Sequence, residues 1–263
     1  MLISVQTSEK TLCTPLIHMD WGVDGVRYAL KNKRILVIVD TLRFSTAVVT
    51  AIAKGFTIYP ASDSTVGKTA ADRLGAELAG KPGESKYTIS PNSYLDAANS
   101  DKKSIVLPSP NGSACSELVG EGDIAFIGCL LNALAVAQYC HRFAQEKHRA
   151  ITIIAAGEQR AVDTGERIVY ERKEAYRVFA VEDYLAAGAI ISYMESSKSA
   201  EAQACELSFV AARERLLELL LRSFSGRYLV ENGLENDVRH AAQLNSYDVI
   251  PMIHDGKITG LNE

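Results

Sequence analysis

The sequence predicts an α/β fold with a mainly parallel sheet, helices on both faces and a helical C-terminal part. Along residues 35–155, short apolar runs that predict buried strands alternate with segments of helical composition. The chain has 263 residues, 47% of them hydrophobic and 23% charged, as in ordinary globular proteins. No composition change marks a boundary, so we expect one unit over residues 1–263, with two α/β lobes left open.

Short apolar runs predict the strands of the first part of the chain. The clearest is 35–39, where five consecutive aliphatic residues are typical of a strand buried on both faces. Small and polar residues follow several of these runs, as expected where strands end in loops. Strands are expected at residues 2–5, 35–39, 57–61, 104–107, 124–127 and 151–155.

Segments with helical composition lie between these strands. Residues 47–54 end at Gly55, a residue that favours the end of a helix. Residues 81–100 are rich in Pro, Gly, Ser and Asn and predict a long ordered loop. Helices are expected at residues 47–54, 65–79, 113–119 and 131–147.

The remainder of the chain is predicted to be mainly helical. Residues 163–179 are charged, with Tyr and Val interleaved, and predict a β-hairpin or an extended excursion. A helix starts near residue 181, and the Leu-rich segment 208–222 predicts an amphipathic helix that faces the core. Two shorter helices at 224–233 and 235–244 precede a last strand at 249–254.

Charge and hydropathy exclude several classes of protein. The net charge of −4 and the lack of a basic stripe argue against nucleic-acid binding. No apolar run reaches the roughly 18 residues that a membrane-spanning helix needs. Residues 1–20 lack a basic segment followed by an apolar core, so no signal peptide is expected. We therefore expect a cytoplasmic protein that does not bind membranes.

The cysteines do not form a recognisable framework. They are odd in number, widely spaced and without a Cys-x-x-Cys pair, and the histidines show no metal-ligand spacing on one helix face. This pattern favours reduced, mostly buried thiols over disulfides or a zinc site. The cysteines are Cys13, Cys115, Cys129, Cys140 and Cys205.

The most informative segment is 35–46, in which a buried strand ends at Asp40 and a hydroxyl-rich turn follows. Ligands of open α/β sheets bind beyond the carboxyl ends of strands, where helix N-termini favour anions. Asp40 could hold a metal or attack phosphorus, and Arg43 could clamp an oxyanion. Ser45 and Thr46 could touch phosphate or cap the helix. The alternative is a structural aspartate, a capping serine and a surface arginine.

A second candidate segment is 108–113, Pro-Ser-Pro-Asn-Gly-Ser. The prolines stiffen the turn, and Gly112 permits a close approach of the backbone to a ligand. Ser109, Asn111 and Ser113 offer hydrogen bonds to an anion. The alternative is a rigid turn in which Ser113 caps the following helix.

Acidic residues after later strands predict a metal site. Glu182 and Asp183 lie at a predicted helix start, where the helix dipole alone would favour acids. Near Asp40 and Glu158 they would also suit Mg²⁺, which takes oxygen ligands and keeps several waters. Glu158 could serve as a general base. Asn132 could orient a ligand, although a loop amide bonded to backbone is the commoner outcome.

Several common catalytic motifs are absent from the sequence. There is no phosphate-binding loop of the type G-x-x-x-x-G-K-[ST], no G-x-G-x-x-G after a strand and no G-x-S-x-G. The segment 39–42 is similar to phosphatases whose nucleophilic aspartate follows an apolar strand. Those enzymes place a second aspartate two residues later, where this chain has Leu42.

Taken together, these segments resemble the 2-phosphosulfolactate phosphatase family. The likeness covers most of the chain in the expected order. The resemblance implies an α/β fold and Mg²⁺-dependent hydrolysis of a phosphate ester on a small sulfonated acid, which gives sulfolactate and phosphate. The matching segments are 39–46, 90–93, 107–113, 155–158 and 181–189, together with Ser225-Gly226-Arg227 and Asp237.

On the hypothesis of a Mg²⁺-dependent phosphatase, we assign roles to the candidate residues. Asp40, Glu182 and Asp183 would form the metal site, directly or through water, with Asp40 as ligand or nucleophile left open. Arg43 would bind phosphate or sulfonate, and Glu158 would position or activate water. The remaining substrate-binding candidates are Ser45, Thr46, Ser109, Asn111, Gly112, Ser113 and Asn132.

One alternative to the enzyme is a non-catalytic anion- or metabolite-binding protein with the same pocket at the strand ends. It would keep Arg43 and the loop at 108–113 but would need no metal. The expected partner in either case is a small phosphorylated acid. A homodimer is left open.

Overall fold

The computed structural model describes residues 16–81, 83–97, 104–160 and 176–261. The strand expected at 2–5, and Cys13, lie outside the described residues. The strands of the main sheet are β1 (Ile17–Trp21), β2 (Ile35–Val39), β3 (Thr57–Ala61), β4 (Glu77–Leu78), β5 (Ser104–Pro108), β6 (Ala125–Ile127), β7 (Ile151–Ala155), β10 (Pro251–His254) and β11 (Lys257–Gly260). A separate two-stranded sheet consists of β8 (Glu158–Arg160) and β9 (Tyr176–Val178).

The helices lie between and after these strands. They are α1 (Gly22–Lys31), α2 (Phe44–Ala53), α3 (Ser64–Leu74), α4 (Asn92–Leu95), α5 (Gly112–Ser116), α6 (Ala133–Lys147), α7 (Val181–Ser192), α8 (Ala200–Ala212), α9 (Leu216–Arg222), α10 (Phe224–Glu231) and α11 (Glu235–Ala241). Short 3₁₀ turns cover Leu130–Asn132 and Arg213–Arg215. The chain is therefore α/β with a helical C-terminal part, as the sequence predicted.

The main sheet has nine strands in the order β1-β7-β2-β6-β10-β11-β3-β5-β4. The strands β1, β7, β2 and β6 are parallel, and so are β3, β5 and β4. The hairpin of β10 and β11 separates the two groups through three antiparallel pairings. The two parallel groups therefore run in opposite senses along the sheet.

Helices cover both faces of the sheet, and β2 contributes to the core on each side. Ile35, Val37 and Val39 pack in one cluster with residues of α6, α7 and α8. Leu36 and Ile38 pack in a second cluster with residues of α1 and α2. All five side chains are fully buried, which explains the unbroken apolar run.

The loop after β5 meets the end of β2, although the two strands run in opposite senses. The Gly112 N–H donates to Asp40 Oδ2 at 2.7 Å.

Most predicted elements are present, with shifted ends. The helix expected at 65–79 ends at Leu74, because Gly75 adopts a left-handed conformation with φ of 60° and β4 follows. The segment 208–222 is two helices, α8 and α9, separated by a 3₁₀ turn. The elements β1, α1 and β11 were not predicted.

Two further observations concern the described residues only. None of their helices combines the length and apolar composition that crossing a membrane requires. Cys115, Cys129, Cys140 and Cys205 are buried and free.

Candidate active site

Asp40 is the point at which two loops meet. It follows β2 directly and is 4% exposed. Its Oδ2 accepts hydrogen bonds from the Gly112 N–H at 2.7 Å and from Ser109 Oγ at 3.3 Å. Its Oδ1 accepts the Phe44 N–H at 3.3 Å. The turn after β2 and the loop after β5 are thereby fixed to one carboxylate.

Asp183 ties the first turn of α7 to the same place. Its Oδ1 accepts the Thr41 N–H at 2.7 Å, and its Oδ2 accepts the Gly157 N–H at 3.0 Å. Thr41 Oγ1 donates to the backbone carbonyl of Glu182 at 3.2 Å. Residues that follow β2 and β7 therefore hold the start of α7 through direct hydrogen bonds.

Glu158 connects the loop after β5 to the C-terminal helices. Its Oε1 accepts Asn111 Nδ2 at 3.1 Å, and its Oε2 accepts Ser225 Oγ at 3.0 Å. Ser225 also lowers the pKa of Glu182 by hydrogen bonding, against a larger rise due to burial. Glu158 and Glu182 thus share Ser225 as a neighbour.

Burial and mutual repulsion shift the carboxyl groups of this cluster. Burial, followed by the charge of Glu158, raises the pKa of Asp40 to about 6. Burial, followed by the charges of Asp40 and Glu182, raises the pKa of Asp183 well above its ordinary value. Burial also raises the pKa of Glu182, and the charge of Glu158 adds to the rise. We call Asp40, Glu158, Glu182 and Asp183 the acid cluster.

The acid cluster fits a hard cation held partly through water. Its donors are carboxylate oxygens, and no basic side chain in the described part of the chain forms an ion pair with them. Among those same residues, no three acidic, His or Cys side chains are arranged to hold a metal directly. Mg²⁺ is bound in proteins through one or two carboxylates with several waters, and this donor set suits that mode.

Arg43 is held by Asp237, a residue to which the sequence assigned no role. Arg43 Nη1 lies 2.7 Å from Asp237 Oδ2, with side-chain exposures of 17% and 1%. Asp237 Oδ1 also accepts Ser90 Oγ at 2.5 Å and Asn92 Nδ2 at 2.7 Å. The carboxylate of Asp237 therefore joins the 90–93 turn and α11 to the turn after β2, in which the Leu42–Arg43 peptide is cis.

Arg177 is a second arginine beside the acid cluster, and sequence reasoning missed it. It lies on β9, at the end of the charged segment for which a hairpin was expected. Its Nη1 donates to the Ala156 carbonyl at 2.8 Å and to Asn111 Oδ1 at 3.3 Å. The strand β9 pairs antiparallel with β8, which precedes the segment 163–179, and residues 161–175 lie outside the described residues, so the choice between hairpin and excursion stays a prediction. No motif marked Arg177, which is one of several charges in that segment.

Four predicted substrate-binding side chains are hydrogen-bonded to the backbone. All are fully buried. Ser45 Oγ accepts the Asp40 N–H at 2.8 Å, Thr46 Oγ1 donates to the Thr41 carbonyl at 2.7 Å, and Ser113 Oγ donates to the Leu107 carbonyl at 2.7 Å. Asn132 accepts the Cys129 N–H at 3.0 Å and donates to the carbonyls of Ile127 at 3.3 Å and Val249 at 3.1 Å. Neither serine caps its helix, since the N-cap residues of α2 and α5 are Arg43 and Asn111. A substrate-binding role for the four residues stays a prediction.

The other candidates are brought together. Asp40, Ser109, Gly112, Asn111 and Glu158 form one continuous hydrogen-bonded group, because Ser109 Oγ also accepts the Asn111 N–H at 3.3 Å. Buried acids, loop amides and arginines gathered at strand ends define an α/β enzyme with an anion-handling site.

Comparison with known proteins identifies the family. The model of the 2-phosphosulpholactate phosphatase family matches residues 24–256. A probable 2-phosphosulfolactate phosphatase of Carboxydothermus hydrogenoformans is 30% identical over 86% of this chain and 89% of its own length. The 2-phosphosulfolactate phosphatase of Methanothermobacter thermautotrophicus is 28% identical over 87% and 91%. The chain belongs to the 2-phosphosulfolactate phosphatase family and is a phosphoric monoester hydrolase, which disfavours the non-catalytic alternative.

Proposed function

We propose that this protein is a Mg²⁺-dependent phosphatase that hydrolyses 2-phosphosulfolactate to sulfolactate and phosphate. The observation that carries the proposal is the acid cluster at the ends of β2 and β7, with Arg43 three residues after Asp40. Family membership supplies the reaction class, and the names of the relatives supply the substrate.

The charges of the acid cluster support the metal dependence. Asp40, Glu182 and Asp183 are buried, and burial is the first cause of their raised pKa values. A divalent cation would relieve both the desolvation and the repulsion of their ionised forms. When bound, Mg²⁺ polarises a phosphoryl oxygen and neutralises the charge that develops during phosphoryl transfer.

The residues around the acid cluster would then bind and orient the substrate. Arg43 offers a guanidinium fork to phosphate, and Asp237 fixes its position through the 2.7 Å contact. The polar loop at 109–112 would hold further oxygens. Glu158 would position the attacking water, since its two carboxylate oxygens are already aligned by Asn111 and Ser225. Asp40 acts either as a metal ligand or as the nucleophile.

The experiment is a phosphate-release assay with 2-phosphosulfolactate and a panel of small phosphorylated carboxylates and sulfonates. Each substrate is assayed with Mg²⁺ and with EDTA. We expect turnover of 2-phosphosulfolactate that EDTA abolishes and Mg²⁺ restores. Asp40→Asn keeps an acceptor for the Gly112 N–H, so it should fold while kcat falls by about 10³-fold or more.

The matched control is Asp24→Asn, which removes a carboxylate that is 92% exposed on α1. This variant should retain wild-type turnover. Hydrolysis by the wild type that is equal in EDTA and Mg²⁺ would remove the metal from the proposal. Substantial activity in the folded Asp40→Asn variant would remove Asp40 from the chemistry.

A further inference from the structure

The guanidinium of Arg177 has only neutral partners among the described residues. Its Nη1 donates to the Ala156 carbonyl at 2.8 Å and to Asn111 Oδ1 at 3.3 Å, and its Nη2 donates to the Pro110 carbonyl at 3.4 Å. None of these groups balances its charge. An added anion would stabilise this half-buried cation, and it would displace no ion pair formed within the described residues.

The stem of this side chain lies in a trough made by two glycines. A Cβ at Gly22 would lie 2.6 Å from Arg177 Cδ, and a Cβ at Gly157 would lie 3.4 Å from Arg177 Cγ. Both glycines have positive φ, 54° and 71°, which side-chain-bearing residues rarely adopt. The backbone on both sides is thus shaped to hold the arginine in one place.

The trough places Arg177 beside the acid cluster. Asn111, which accepts from Arg177, donates its own Nδ2 to Glu158 at 3.1 Å. Burial is the main cause of the raised pKa of the Cys115 thiol. The charges of Asp40 and Asp183 add to this rise, and the charge of Arg177 opposes it. Arg177 is therefore linked to the acid cluster through Asn111 and acts electrostatically on the same thiol as Asp40 and Asp183.

Arg43 differs from Arg177 in its charge balance. Arg43 is paired with the buried carboxylate of Asp237, and it belongs to the turn after β2. Arg177 belongs to β9 and contacts the loop after β5. Two arginines on separate elements can bind two separate anionic groups of one substrate.

We propose that Arg177 binds the anionic group that the substrate carries on its acid part, a sulfonate or a carboxylate, while the phosphate is bound at Asp40 and Arg43. This inference rests on the proposed function and deepens it. It makes Arg177 a determinant of specificity for phosphate esters with a second anion. Its planar fork matches the geometry of either group.

The test measures kcat/KM for three phosphate monoesters with the wild type, Arg177→Met and Arg177→Lys. The esters are 2-phosphosulfolactate, 2-phospholactate, which lacks the sulfonate, and isopropyl phosphate, which lacks both anions. Arg177→Met should lose about 10–100-fold on esters that carry the recognised anion, the range expected for a charge-assisted hydrogen bond. It should change less than about 2-fold on isopropyl phosphate. Arg177→Lys should recover part of the loss.

The pattern of losses identifies the anion. A loss confined to 2-phosphosulfolactate assigns Arg177 to the sulfonate, and a similar loss on 2-phospholactate assigns it to the carboxylate. An equal loss on all three esters, or no loss on any, overturns the inference. The control Arg239→Met removes an exposed arginine paired with Glu235 on α11 and should leave all three values unchanged.

A binding measurement separates this inference from the proposed function. Sulfolactate, which has no phosphate, is titrated calorimetrically into the wild type and Arg177→Met, with inorganic phosphate as a second titrant. We expect at least 10-fold weaker sulfolactate binding by the variant and equal phosphate binding. If the wild type hydrolyses none of the esters, the proposed function fails and this titration still decides the inference. The inference is overturned if the wild type does not bind sulfolactate. It is also overturned if Arg177→Met binds sulfolactate as tightly as the wild type does.

Discussion

At the scale of single residues, Asp237 has the most demanding environment. Its side chain is 1% exposed and accepts hydrogen bonds from Ser90, Asn92 and Arg43. A buried carboxylate is stable only with partners of this kind, and Arg43 supplies the compensating charge. Asp237 thereby positions Arg43, whose guanidinium would otherwise be free to turn.

We predict that Asp237→Asn destabilises the protein by an amount near the lower end of about 3–5 kcal/mol, because Arg43 keeps some exposure to water. The variant should also raise KM more than it lowers kcat, since the position of Arg43 affects binding first. Denaturant unfolding and steady-state kinetics measure the two effects. Glu235→Gln, on the same helix but with an exposed ion pair, should cost about 1 kcal/mol or less. Equal effects of the two variants would show that Asp237 has no special role.

At Gly112 the packing leaves no room for a side chain. A Cβ at this position would lie 2.2 Å from Phe44 Cδ1 and 2.8 Å from Asp40 Oδ2. Gly112→Ala should therefore destabilise the protein by about 1–3 kcal/mol through overpacking and should reduce activity by displacing Asp40. At Gly120 the nearest atom would be 3.6 Å away, so Gly120→Ala is the matched control and should stay within about 1 kcal/mol. Equal unfolding midpoints for the two variants would contradict the packing seen here.

Local sequence indicates which residues follow strands, but it does not indicate which side chains packing brings beside them. Asp40 and Gly112 follow strands and stand out in local sequence. Arg177 resembles its charged neighbours until the trough of glycines is known. The amide of Asn132 is hydrogen-bonded to backbone, and its role in orienting a ligand stays a prediction.

At the scale of elements, the end of β2 and the start of α7 are joined through ionisable groups. Asp183 accepts the Thr41 N–H, while burial and then the charge of Asp40 raise the pKa of Asp183. Hydrogen bonds to the backbone therefore hold the end of β2 and the start of α7 together. Repulsion between the ionised carboxylates of Asp40 and Asp183 opposes this whenever no cation is bound.

This opposition predicts the pH dependence of the metal-free protein. Folding raises the pKa of Asp40 from 3.8 to about 6, so the folded state binds more protons in this range. Stability from this group is thus complete below pH 4 and is lost as the pH rises through 6. In EDTA, the melting temperature of the wild type minus that of Asp40→Asn should decrease as the pH rises from 4.5 to 7. Added Mg²⁺ should reduce this fall. A difference that stays constant with pH would contradict the burial and repulsion described for Asp40.

The strands at 35–39 and 151–155 are buried along their whole length and have the predicted bounds, because their apolar runs are short and flanked by polar residues. The strand at 57–61 also has the predicted bounds, although only Ile58 and Ala61 are buried. The edge strand β1 was missed because only Ile17 and Met19 of its five residues are buried apolar side chains. Its sequence therefore lacks the continuous run that marks a central strand.

At the scale of the whole molecule, the predicted sheet was correct in class and incomplete in topology. The hairpin of β10 and β11 lies between β6 and β3 and reverses the sense of one parallel group. Strand pairing between residues more than a hundred positions apart leaves no local signal, so this insertion could not be predicted. The turn after β2 and the loop after β5 nevertheless meet at Asp40, whose carboxylate accepts the Gly112 N–H.

The central claim is that acids from distant parts of this sheet act as one site for a divalent cation. The most direct measurement is a calorimetric titration of Mg²⁺ into the metal-free wild type and into Glu182→Gln, whose serine neighbours can adapt to the amide. We predict one Mg²⁺ per chain for the wild type and at least about 10-fold weaker binding for Glu182→Gln. The control Asp24→Asn should bind like the wild type. Absence of Mg²⁺ binding by the wild type, or equal affinity in Glu182→Gln, would contradict the claim.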